Sequence, residues 1–106
     1  MVRLLRTIYE RNDGLKPATH EFLVGIMTKS ANPVRIAKLL PDGCTVAHKT
    51  GTRPGTLNDA GIITSPDGRH HFAVAIFTKA AKSSTDAQRE LIVAKIARAI
   101  YDELMR

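Results

Sequence analysis

Past Gly43 the apolar residues change from helical spacing to a strand-like period. Asp67-Gly68 sits at the centre of "SPDGR" (65–69), a hairpin turn signal. Thr45–Thr52, Asn58–Thr64 and His71–Thr78 therefore read as three strands in succession. Short turns between them make each an antiparallel neighbour of the next. The third, "HFAVAIFT", is apolar enough to be covered on both faces.

Both flanks read as helical. Val2, Leu4, Leu5, Ile8 and Tyr9 have helical spacing, and Gly14 stops the run. Pro17 suits the first turn of a second helix, with Phe22, Leu23, Ile26 and Met27 on its apolar face. Asn32-Pro33 opens a short helix through Leu39, and Pro41-Asp42-Gly43 is a turn. Thr85 and Gln88 form a capping box for a helix to about Leu104, its apolar face carrying Leu91, Ile92, Ile96, Ile100 and Leu104. The expected class is α+β. Residues 1–40 form a helical segment, and residues 41–106 a three-stranded antiparallel sheet (about 45–78) with a long C-terminal helix packed on it.

At 106 residues the chain is one domain by length, with 43% apolar and 25% charged residues, as in soluble globular proteins. No apolar run approaches the roughly 18 residues of a membrane span. "MVRLLRTIYERNDG" has no apolar core of a signal peptide, so the chain as written is expected in the cytoplasm. Cys44 is the only cysteine, which excludes an internal disulfide and a cysteine-based zinc site. Net charge is +6, favouring acidic ligands in a general way. The basic residues are scattered and only five aromatics exist to stack bases, so no nucleic-acid partner is expected.

Chemistry concentrates in "HKTGT" (48–52). On a strand, Lys49 and Gly51 face opposite to Thr50 and Thr52. Gly51 leaves room for a ligand beside the backbone, and Lys49 supplies a point positive charge. Threonine hydroxyls can hydrogen-bond a carboxylate, and a free N–H on an edge strand can hold an oxyanion. Taken alone, the tripeptide reads first as a polar edge strand ending in a turn.

The longer series "VAHKTGT", "NDAGII", "PDGR", "FAVAIFT" and the closing helix resembles the C-terminal part of class A β-lactamases and related penicillin-recognising serine hydrolases. "RIAKLLPDGCTVAHKTG" resembles the approach to the family's Lys-Thr-Gly strand, and the first 27 residues the helical segment after its omega loop. The resemblance implies an incomplete β-lactamase-like fold and a β-lactam or peptide-like carboxylate as substrate of the complete protein, which would be exported. By the same resemblance, Lys49 would orient the substrate carboxylate and assist proton transfer, and Thr50 would hydrogen-bond that carboxylate. Thr52 would offer its hydroxyl to the same group and its N–H to the oxyanion hole, and Gly51 would keep the strand open. Some family members carry an arginine near the place of Leu57; Arg53 is a possible substitute contact from the turn. Asn58 and Asp59 match a polar pair on the next strand and read first as an anchor for that turn.

The nucleophile is missing. None of Ser30, Ser65, Ser83 and Ser84 has a lysine three residues later, and Ser-Asp-Asn is absent. No catalytic residue is assigned in this chain, and no cofactor. His70 and His71 face opposite ways on a strand, and His20 and His48 have no ligand-spaced partner, so no metal site is expected. One expectation is the C-terminal portion of an acyl-transfer enzyme, inactive alone. The other is a binding module that kept the sheet and lost the chemistry. Bare helix faces and the open edge of the third strand imply self-association, domain swapping, or pairing with a complementary N-terminal piece.

Overall fold

The computed structural model describes residues 1–29, 34–79 and 84–106. Three strands, β1 (Thr45–Arg53), β2 (Thr56–Thr64) and β3 (His71–Lys79), form one antiparallel sheet in the order β1-β2-β3. The register follows from the turns. Arg53 pairs with Thr56 across a loop of Pro54 and Gly55, and Gly55 takes φ +79°. Proline then glycine with φ above zero is what a type II turn requires. At the second turn Asp67 Oδ1 accepts from Ser65 Oγ and from Arg69 N, while Ser65 N donates to His70 O. Thr64 then pairs with His71.

Helix α1 (Val2–Tyr9) and helix α2 (Pro17–Thr28) lie against one face of the sheet. Helix α3 (Asp86–Leu104) and a 3-10 turn (Arg35–Ala37) lie against the other. Alternation along the strands sends Val46, Leu57, Ile63, Val74 and Ile76 to the α3 side, where they join Ile36, Val93, Ala97 and Tyr101 in the core. The Thr85–Gln88 capping box forms in both directions, at 3.1 and 2.9 Å.

The helix faces depart from the sequence expectation. On α3 the buried residues are Val93, Ala94, Ala97 and Tyr101, whereas Leu91, Ile92, Ile96 and Leu104 are exposed and Ile100 is only partly buried. The stripe that meets the branched chains of the strands pairs two alanines with Val93 and Tyr101, which fill the remaining space. On α2, His20 is the buried residue, Leu23 and Met27 are half-buried, and Phe22 and Ile26 point to solvent. On α1 only Leu5 and Ile8 are buried. That helix ends at Tyr9, ahead of Gly14, because Arg11 turns left-handed at φ 59°. The expected helix through Leu39 is a single 3-10 turn, and its proposed cap, Asn32-Pro33, lies outside the described residues. β3 is covered on the α3 side, but Phe77 on the other face is 62% exposed.

Gly61 is the glycine that the sheet requires. A Cβ there would stand 2.5 Å from Ala47 O and 2.5 Å from the Cβ of His48, its cross-strand partner. Backbone on β1 cannot retreat without breaking the ladder. Gly61→Ala is expected to destabilise the chain by about 1–3 kcal/mol, read from the urea midpoint at unchanged slope.

The loop between α1 and α2 is closed by one side chain. Asp13 Oδ2 lies 2.7 Å from His20 Nδ1, and Asp13 Oδ1 accepts from Leu15 N at 3.0 Å. The His20 hydrogen bond, then the Leu15 amide, hold the Asp13 carboxyl below its ordinary value. A carboxyl lowered on folding stabilises the fold above its unfolded pKa, and the contribution is lost as pH falls through the lower folded value. Protection of the Leu15 amide, measured against its intrinsic exchange rate at each pH, should therefore fall below about pH 4. Asp13→Asn should remove that acid dependence, and equal acid sensitivity in the variant would contradict it.

Candidate functional site

β1 carries the Lys-Thr-Gly segment at an edge of the sheet. Its side chains divide between two faces. Lys49 and Gly51 stand on the α1–α2 side with their partners Ala60 and Asn58. Thr50 and Thr52 stand on the α3 side with Asp59 and Leu57. Lys49 is exposed and its Nζ folds onto the Thr50 carbonyl. Above Gly51 the space is open, since an added Cβ would meet nothing closer than the Asn58 Cβ at 4.0 Å. A cavity of about 390 Å³ lies beside this segment. Lys49, Gly51 and Asn58 contribute to one wall, and Met1, Leu4, Met27 and Phe77 line it with apolar surface.

Behind the strand lies a polar cluster that the motif did not reveal. Arg35 is 7% exposed and adopts φ 50°. That left-handed conformation costs a non-glycine residue roughly 1–2 kcal/mol. Its guanidinium offsets this cost. Nη1 donates to Gly51 O at 3.0 Å and to Asn58 O at 2.8 Å, and Nη2 donates to Thr52 Oγ1 at 2.5 Å. Glu90 on α3 approaches Arg35 Nε at 3.7 Å. One arginine thus joins the ends of β1 and β2 beside the Pro54-Gly55 turn.

Asp59 is the second centre. It is fully buried, so it is not the turn anchor its sequence position suggested. Its Oδ2 accepts from Ile36 N at 3.2 Å and lies 2.7 Å from His48 Nδ1. Its Oδ1 is buried with no partner among the described residues. His48 and His20 both have aspartate partners, Asp59 and Asp13, that lie outside metal-ligand spacing in the sequence. Arg53, the expected substitute for an arginine near Leu57, is exposed at the turn, and Leu57 belongs to the core. Arg35 is the guanidinium that reaches Thr52. Nothing in "RIAKLL" marks it, whereas the Asn58-Asp59 pair, read as a turn anchor, could have signalled a buried polar centre by its place next to Ala60-Gly61-Ile62-Ile63.

Among the described residues, no group of three or more histidine, cysteine, aspartate or glutamate side chains could hold a metal ion. Nor is any helix among them long and apolar enough to cross a membrane.

The arrangement has known counterparts. Residues 1–104 match the model of the beta-lactamase enzyme family. The extended-spectrum beta-lactamase PER-1 of Pseudomonas aeruginosa is 41% identical over 78 residues, which cover 68% of this chain and 25% of the relative. A beta-lactamase of Bacteroides uniformis is 32% identical over 112 residues, covering 98% of this chain and 37% of the relative. Among solved structures, a beta-lactamase from Chitinophaga pinensis superposes with a TM-score of 0.82 at 37% identity, over 97% of this chain and 40% of the other. A class A beta-lactamase representative from Bacteroides cellulosilyticus gives 0.82 at 32% identity, over 97% and 39%. The chain therefore spans between 25% and 40% of the length of these proteins.

Proposed function

Because the chain belongs to the beta-lactamase enzyme family, we propose that it supplies the substrate-binding wall of a serine hydrolase that transfers the acyl group of a β-lactam or related amide or ester. One observation carries this reading. An exposed lysine, an open glycine and a threonine hydroxyl backed by a buried arginine lie within four residues of an edge strand. A carboxylate-bearing substrate lying along this edge would meet Lys49 on one side and the hydroxyls of Thr50 and Thr52 on the other. Lys49 supplies the positive potential, Thr50 and Thr52 the directional hydrogen bonds, and Gly51 the clearance. The Thr52 N–H serves the oxyanion. Arg35 takes the part first considered for Arg53, adding positive charge behind Thr52.

These groups stabilise a transition state only when a nucleophile stands beside it. This chain has no serine with a lysine three residues on, so it is inactive alone and works with the remainder of a longer protein or a complementary N-terminal piece. An intact-mass assay with a reactive penicillin or fluorophosphonate probe tests this. The expected adduct lies on the N-terminal piece, with turnover only in the mixture. An adduct or turnover with the 106-residue chain alone contradicts the reading. So does a folded, associated mixture with neither, which would favour a binding module.

Without that partner the chain leaves apolar surface uncovered. Leu91, Ile92, Ile96 and Leu104 on α3, Met1 and Leu4 by α1, and Phe77 on the edge strand β3 are all exposed. Unpaired strand edges beside apolar patches drive self-pairing. Light scattering should show mass rising with concentration, and an N-terminal piece should reverse it. A monodisperse monomer at high concentration would count against self-association.

A further inference from the structure

A second cavity, of about 440 Å³, lies at the opposite end of β1, on the α1–α2 side of the sheet. Among the described residues Ile8 alone lines both this cavity and the one beside Lys49. Its floor is a row across the three strands, in which Thr45 pairs with Thr64 and Thr64 with His71. His20 and Val24, one turn apart on α2, stand over that row. Arg11, just past the end of α1, completes the lining. No carboxylate among the described residues borders the space.

Two of these groups do more than packing asks of them. The His20 side chain is only 9% exposed, and its Nδ1 is taken by Asp13 Oδ2 at 2.7 Å. The Asp13 carboxyl is held low and stays ionised at neutral pH, so Nδ1 is the donor in that pair. Asp13 does not line the cavity and His20 does. The nitrogen left to the cavity is therefore Nε2, which has no partner among the described residues. Arg11 takes φ 59° at a helix end where glycine is the usual residue. Its backbone closes the helix, with Arg11 N donating to Ile8 O and Asn12 N to Thr7 O. Its guanidinium meets no acceptor among the described residues, so no contact offsets the choice of arginine over glycine. Backbone strain kept at a residue whose side chain borders a cavity points to a use for that side chain.

We propose that this cavity binds a small phosphate monoester bearing a flat apolar group. Arg11 supplies charge-assisted hydrogen bonds to the phosphoryl oxygens, and the unpartnered Thr45 hydroxyl adds a neutral donor. Ile8, Val24 and Ile62 receive the apolar part. His20 distinguishes phosphate from other anions. A phosphate monoester loses its second proton at about pH 6, so it can give a proton to a bare Nε2 or accept from an Nε2–H. A sulfonate can only accept. The inference does not depend on what the Lys49–Thr52 strand receives.

NMR titration of the whole isotope-labelled chain at about pH 6, with phenyl phosphate, benzenesulfonate and phenol, tests it. Phenyl phosphate should shift the Thr45, Thr64 and Arg11 amides saturably. It should bind about fivefold tighter than benzenesulfonate and about tenfold tighter than phenol, the sizes of one neutral and one charged hydrogen bond. Arg11→Gln should weaken both anions about tenfold. Arg11→Gly should do the same while holding or raising the urea midpoint, because glycine fits the left-handed turn. His20→Gln should bring the two anions within about twofold of each other. Arg3→Gln, at an exposed position of α1 outside the cavity, should change nothing. Saturable shifts at Gly51 in place of Thr45 overturn the inference. So do affinities unaltered in Arg11→Gln, or benzenesulfonate bound as tightly as phenyl phosphate. If His20→Gln does not fold, Arg11→Gly and the comparison of anions in the unaltered chain decide.

Discussion

Asp59 sits on β2 with no solvent exposure, and its Oδ2 is met by His48 Nδ1 at 2.7 Å and by Ile36 N at 3.2 Å. Three segments meet at that oxygen: β1, β2 and the 3-10 turn. A buried carboxylate is costly to desolvate and is kept only where close partners offset the cost. Removing one partner from such a pair typically costs about 3–5 kcal/mol, because a charge is left stranded. The pairing therefore works as a geometric constraint more than as net stabilisation. It fixes the 3-10 turn relative to the sheet, and with it the approach of Arg35 to Gly51, Asn58 and Thr52. Gly61 belongs to the same constraint, since the space a Cβ would need is taken by His48 and the backbone of β1.

The sheet separates the work of the two sides. On the α3 side lie the core and the polar cluster, so positions there are fixed by packing as well as by hydrogen bonds. On the α1–α2 side the cover is partial, and Lys49 projects from the sheet beside a cavity with apolar walls. The Lys-Thr-Gly strand lies where a rigid half meets an open half. A strand at such a boundary can present side chains and backbone N–H groups outward while its register is held from behind. Exposed apolar residues occur on both sides, Met1, Leu4 and Phe77 on the α1–α2 side and Leu91, Ile92, Ile96 and Leu104 on α3, so the outer surface of each layer is left without cover by the described residues.

Strands, turns and the α3 cap were legible in the sequence because each depends on neighbours along the chain. Asp67-Gly68 and the Thr85–Gln88 box are local chemistry, and both stand where expected. Helix faces were less legible. On α3 two apolar stripes compete, and periodicity favours the larger residues at 91, 92, 96 and 104. The choice of Val93, Ala97 and Tyr101 is made by which stripe meets the sheet, where Tyr101 packs edge-on against Phe72. Arg35 was illegible for a stronger reason. Its partners lie 16, 17 and 23 residues away, and its left-handed backbone is stabilised by those partners and not by its own segment. Asp59 was half legible. The polar pair Asn58-Asp59 was noticed but read as a turn anchor, because the partners of Asp59 emerge only once the strands pair.

The same logic extends to the edge strand itself. Electrostatic stabilisation is effective when donors are fixed before charge develops, since no reorganisation is then required at the reacting moment. A hydroxyl on an edge strand would ordinarily rotate and divide its time between donating and accepting. Thr52 has one lone pair occupied by a guanidinium that is itself tied to two carbonyls and to a turn anchored on a buried carboxylate. Each link removes a freedom from the next, so the direction of one exposed proton is set by contacts far from solvent. The end of the strand is thus organised from within the fold.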